Sequence, residues 1–185
     1  MNRAGLERHC DALHQGTLYL AVAIHWLALP LLLARGDGMP RDEARLVLAS
    51  QTADAFRRAT DRYQERVIAW AKRRPAVVLS TNRELSRGDS VRVAPLYGIN
   101  PGNALFARRD AIRRGEVVDF VYVPPVAALG LTKESMISLR DVQVVRRSQL
   151  RRPAACLSET GLHEVLAQYT RYTSALINPY PAHLR

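Results

Sequence analysis

The sequence predicts an α+β protein: a small, strongly bent β-barrel with a helical N-terminal extension or insertion and a C-terminal helix. Three observations predict it. The apolar period changes near residue 70, from helical spacing before it to short β-branched runs after it. The later runs are separated by Pro, Gly and Asn, as in small sheets and barrels. Charge divides at the same place. Residues 1–70 hold nine Arg against eight Asp or Glu, and residues 71–185 hold eighteen Arg or Lys against nine acids. The expected parts are therefore 1–70, mainly helical, and 71–185, the barrel with its terminal helix.

In chain order, Arg3 to about His14 reads as a helix. Gly16 to Val22 reads as a first barrel strand, in which case residues from about Leu27 to Ala71 are an insertion. Thr17 to Ala34 holds eighteen residues without Asp, Glu, Lys or Arg, near the lower limit of a membrane span. His25 and Pro30 interrupt it, and no signal-peptide pattern precedes it, so a buried core segment is the expectation. Gly36-Asp37-Gly38 breaks the chain, and Pro40 with Asp42 and Glu43 opens a helix. Leu48, Thr52, Phe56, Ala59, Tyr63, Val67 and Trp70 recur three or four residues apart, a one-sided helical stripe. That stripe either packs on its own barrel or serves a partner or a second copy.

After residue 70, Ala76 to Ser80 reads as a buried strand and Ser90 to Leu96 as an alternating one. Glu116 to Val123 is β-branched and aromatic. Ser135 to Val145 is a strand pair or one bent strand. Tyr97 to Asn103 and Pro124-Pro125 are turns. Ser158 to Gly161 opens a helix that runs to about Leu176 and ends before Asn178-Pro179.

The net charge is +10, and 25 of the 27 basic residues are Arg. A field concentrated on one part of a chain steers a polyanion, and the guanidinium fork matches phosphate oxygens. Basic pairs at Arg108-Arg109, Arg113-Arg114, Arg146-Arg147 and Arg151-Arg152 suit backbone contacts that do not read sequence. Cys10 and Cys156 show no metal-ligand spacing, and two cysteines do not make a disulfide framework, so a reducing compartment is expected. The five His are scattered. No metal or cofactor is expected.

Arg73-Arg74-Pro75-Ala76-Val77-Val78-Leu79-Ser80 resembles the opening of the second strand in MazF/PemK-type toxins, whose SH3-like barrel CcdB-like toxins share. Val93-Ala94-Pro95-Leu96-Tyr97 and Leu139-Arg140-Asp141-Val142 are similar to later strands of that family, and residues 150–176 to its final helix. The resemblance covers about residues 73–176. It implies the toxin of a toxin–antitoxin pair: a metal-independent endoribonuclease (mRNA interferase) that inhibits growth, a cytoplasmic homodimer bound by an antitoxin. It places Arg74 and Asp141 in catalysis, with Tyr97 where the family has Ser or Thr. Arg73, Ser80, Asn82, Arg108, Arg109 and Arg140 become expected RNA contacts. Three departures accompany it: Tyr97 itself, no acid nearer before Arg73 than Glu65, and a first strand that is either Gly16–Val22 with a helical insertion after it or replaced by the helices. They leave open a non-catalytic CcdB-like toxin or binding module.

Overall fold

The computed structural model describes residues 5–7, 12–26, 31–35, 45–47, 65–68, 70–102 and 104–177. They divide into two compact units, residues 1–22 with 73–185, and residues 23–72.

The larger unit is an α+β fold, a curled antiparallel sheet with few helices. Its strands are β1 (Leu6–Glu7), the first part of β2 (Thr17–Trp26), the later part of β6 (Trp70–Val78), β7 (Ser90–Gly98), β8 (Phe120–Val123), β9 (Ser135–Ser138), β10 (Gln143–Arg146) and β11 (Pro153–Leu157). Their order is β1-β11-β2-β6-β7-β9-β8, and β10 pairs with β7. The smaller unit holds β3 (Leu31–Arg35), β4 (Arg45–Val47) and β5 (Glu65–Ile68), in the order β4-β3-β5.

Strand β7 is paired along both edges. On one side Ala76 lies opposite Pro95 and Val78 opposite Val93. On the other, β9 sets Ile137 opposite Leu96, and β10 sets Gln143 opposite Val93. Three steps of β7 thus face six steps of the 135–146 segment, so residues 139–142 bulge from the ladder. Alternation then sorts the side chains. Val77, Ala94, Leu96, Val121, Val123, Ile137 and Leu139 belong to one buried cluster with Leu18, Ala155, Leu157 and Val165. The opposite face carries Met136, Phe120 and Tyr122, packed with Ile99, Ile112 and Val117.

Short helices are locally determined. Helix α1 (Asn82–Arg87) begins with a capping box: the Thr81 hydroxyl accepts from Glu84 N–H, and the Glu84 carboxylate accepts from Thr81 N–H. Helix α2 (Arg109–Arg114) ends at Gly115, whose φ of 73° is the left-handed cap conformation. Helix α3 (Glu159–Ile177) starts where the Ser158 hydroxyl accepts from Gly161 N–H. Its Val165, Leu162 and Tyr169 pack on the first cluster. Gly16, at φ 87°, turns the chain into β2 and donates to the Val78 carbonyl.

Several expectations are corrected. Residues 45–47 and 65–68 are strands where the helical stripe led to a helix, so Val67 lies in β5 and Trp70 in β6. Leu48, Thr52, Phe56, Ala59 and Tyr63 lie outside the described residues. Leu6 and Glu7 are strand, paired to Leu157 and Cys156, within the segment expected as helix; the backbone is completed across an edge and not along a helix. The 116–123 run is strand only from Phe120, because residues 117–120 turn, Phe120 N–H donating to the Val117 carbonyl, after an unexpected α2 at Arg109–Arg114. Tyr97 and Gly98, expected as turn, are strand paired with Met136 and Ser135, and β6 begins at Trp70, ahead of the expected Ala76. Cys156 is disulfide-bonded, contrary to the expectation of reduced cysteines; Cys10 lies outside the described residues. Thr17–Trp26 and Leu31–Arg35 are strands, and among the described residues no helix is long and apolar enough to cross a membrane.

Ile137 is fully buried between β7 and β8, whereas Val144 on β10 is 65% exposed. Ile137→Ala is expected to cost about 2–5 kcal/mol in urea unfolding, and Val144→Ala no more than about 0.5 kcal/mol. Equal losses would contradict the assignment of the core.

Candidate functional site

Arg74 and Tyr97 come together through register. Extending the β6–β7 ladder by two residues from Ala76 opposite Pro95 sets Arg74 opposite Tyr97. The Arg74 guanidinium lies 4.9 Å from the centre of the Tyr97 ring, a cation–π distance. Both side chains are half-buried. Arg74 Nε and the Tyr97 hydroxyl oxygen are shielded from solvent, so charge contacts made there are screened less than on the open surface. Arg73, next along β6, is exposed.

The row continues across the sheet. Met136 lies opposite Tyr97, and Tyr122 opposite Met136. Tyr122 donates to Glu134 Oε1 at 2.8 Å, Arg109 Nε donates to Glu134 Oε2 at 2.5 Å, and Arg113 also donates to this carboxylate. Burial opposes ionisation of Glu134, but the bonds from Arg109, Arg113 and Tyr122 outweigh it and hold its carboxyl down to about 2. Burial first, then the bond to Glu134, pushes the Tyr122 phenol up. Arg113 lies 5.6 Å from the Tyr122 ring centre and Arg109 5.7 Å from that of Phe106. Through its backbone carbonyl, Glu134 also accepts from Ile99 N–H. Glu134 therefore ties α2 and β8 through its carboxylate, and the segment after Tyr97 through its backbone, to the start of β9.

Asp141 sits in the 139–142 bulge. Its Oδ2 accepts from Ser138 Oγ at 2.7 Å and lies 3.7 Å from Arg140 Nε. Ser138 is two residues beyond Met136 on β9, one same-face row from Tyr97 and roughly 7 Å along the strand, and Asp141 is hydrogen-bonded to it. Arg140 lies between Asp141 and Asp119 (3.9 Å), with its guanidinium 5.1 Å from the Phe120 ring centre.

The remaining expected contacts are dispersed. Ser80 is buried, and its hydroxyl accepts from Arg92 N–H at 2.8 Å. Asn82 Oδ1 accepts from Gln15 N–H at 2.9 Å. Ser80 ties the chain after β6 to β7, and Asn82 ties α1 to the residue before the Gly16 turn. Arg109 is committed to Glu134, while Arg108 is exposed. The Glu134 cluster was absent from the sequence reading. The only available signal was Arg109 and Arg113 four residues apart on one helix face, which does not name a partner 21 residues or more away. Among the described residues no group of His, Cys, Asp or Glu could hold a metal ion.

No protein-family model matches the chain, and no curated protein matches it. A solved structure is similar. Mycobacterium tuberculosis toxin MazF-mt6 is 19% identical, with a TM-score of 0.42, over 56% of this chain and 88% of that one. At this level the likeness assigns neither residues nor activity.

Glu134 has a folded-state pKa well below its ordinary value, so it contributes stability that is present above about pH 4.5 and lost as pH falls towards 2. Glu134→Gln is expected to be clearly less stable than the parent at pH 7, with the gap narrowing between pH 4.5 and 2 in denaturant titrations. A gap that stays constant through that window would contradict the ion cluster.

Proposed function

We propose that the protein is a MazF/PemK-type toxin that cleaves RNA without a metal ion. The observation that carries this reading is the Arg74 guanidinium stacked on Tyr97 at paired positions of β6 and β7. A stacked guanidinium is oriented before substrate arrives. Its N–H fork suits a scissile phosphate that gains negative charge as the 2′-OH attacks. Tyr97 supplies a hydroxyl for a phosphate oxygen or a ring for a base. Asp141, held by Ser138 on the same sheet face, is the base in this scheme: it takes the 2′-OH proton as the 2′-oxygen bonds to phosphorus, the P–O5′ bond breaks, and the leaving 5′-oxygen takes a proton from water, which leaves a 2′,3′-cyclic phosphate. Arg73 and Arg108 add backbone contacts; Ser80, Asn82 and Arg109, engaged within the fold, are left out. A homodimer, an antitoxin partner and a cytoplasmic location complete the proposal.

The Asp141 contacts favour a second reading, a non-catalytic RNA-binding or CcdB-like toxin. Its carboxylate holds Ser138 and Arg140 through Oδ2, as a residue that fixes the 139–142 bulge would.

Purified protein in EDTA is expected to cleave RNA. Arg74→Ala should lower the rate about 10²–10³-fold, and Tyr97→Phe, which keeps the shelf under Arg74, should lower it less. A requirement for added Mg²⁺, or undiminished cleavage by Arg74→Ala, would overturn the catalytic scheme. RNA binding without cleavage would select the second reading.

A further inference from the structure

The other end of β7 carries a basic surface that the site above does not use. Arg146 of β10 lies opposite Ser90. Arg147 follows, donating its backbone N–H to the Asp89 carbonyl at 2.7 Å and a guanidinium N–H to the Leu85 carbonyl at 3.4 Å. These bonds fasten the 147–149 turn to α1 and the start of β7. On α1, Arg83 and Arg87 are four residues apart and share a face. The Leu150 N–H bonds the Arg147 carbonyl, and Arg151 and Arg152 continue from it. All six arginines are exposed. Among the described residues none of the six is in an ion pair, whereas the nearby carboxylate of Glu84 is taken by Arg92 at 2.6 Å. Asp89 is the other acid of this corner. A merely solvated face intersperses its signs; here the acids are outnumbered and one is already neutralised.

We propose that this corner is a second RNA-binding surface, which grips the phosphate backbone of RNA engaged at Arg74 and Tyr97. Seven steps of β7 separate Ser90 from Tyr97, roughly 23 Å at about 3.3 Å per residue, and Ser90 with Arg146 takes the sheet face opposite Tyr97, so the RNA also passes around the edge of the sheet. A strand must span that distance to touch both places. The surface therefore adds affinity for long RNA and none for short RNA, without regard to sequence. It rests on the reading that the ligand at Arg74 is RNA.

The test replaces Arg83, Arg87, Arg146 and Arg151 together by Gln, sparing Arg147 because it bonds Leu85. Binding of a 20-nucleotide and a 3-nucleotide single-stranded RNA is measured between 50 and 300 mM salt, with unfolding curves to confirm the fold. The variant is expected to bind the long RNA at least tenfold more weakly. Its salt slope should fall by up to about 3, from about 0.7 per lost phosphate contact, and its affinity for the short RNA should stay within twofold. Unchanged long-RNA affinity and slope would overturn this surface while leaving the Arg74 reading intact. No RNA binding by the parent protein would overturn both. Lost binding of polyglutamate with retained RNA binding would assign the corner to an acidic protein and overturn it as well.

Discussion

Strand β7 is hydrogen-bonded along both edges, and the placement of every group in the candidate site follows from that. With Val78 opposite Val93, only odd-numbered residues of β7 can share a face with Arg74. Slipping the pairing by one residue would turn Tyr97 into the core and Leu96 out of it. The register is held by what lies on the two faces. Leu96, Ile137 and Val121 are nearly inaccessible on one side, and Met136 and Phe120 on the other. A strand buried on both faces cannot slide without exposing one set of apolar side chains and burying arginine.

The bulge at 139–142 is the second consequence. Because β9 and β10 follow the same edge of β7, the extra residues between them have no partners in the ladder and project Arg140 and Asp141 away from it. Ser138 and Asp119 then fix where those charges rest. At the opposite end of β9, Glu134 performs the same service for α2. The face that bears Arg74 is thus bounded by two charge clusters of different character. One carboxylate is saturated by three donors, and the other group has carboxylates flanking a single arginine.

Much of this was legible in the sequence. β-Branched runs located β7, β9 and β10 closely, the later part of β6, and β8 in the later half of its run, and Ser158 and Pro179 bracketed the terminal helix, because short buried strands and capped helices have local signatures. Gly16-Thr17 likewise marked the opening of β2. The helical expectation fails at 65–68 because Val67 fits the helical stripe, while the β-branched side chains of Val67 and Ile68 also favour the strand found there. The capping box of Thr81 and Glu84 was local and readable, yet it lay inside an expected connection. Contact between Arg74 and Tyr97 was not readable from either residue alone. It depends on which residues of two strands face each other, a property of the pairing. The Glu134 cluster is less legible still, since its members are joined across a helix, two strands and a turn.

The central claim is that Arg74 and Tyr97 act on RNA as one unit. A double-mutant cycle in RNA cleavage tests it directly, with Arg74→Ala, Tyr97→Ala and the double variant compared by kcat/KM in EDTA. The account predicts strong coupling: the double variant no slower than the poorer single variant within about threefold, because removing either residue already dismantles the pair. Losses that simply multiply would contradict it, showing two residues that contribute independently.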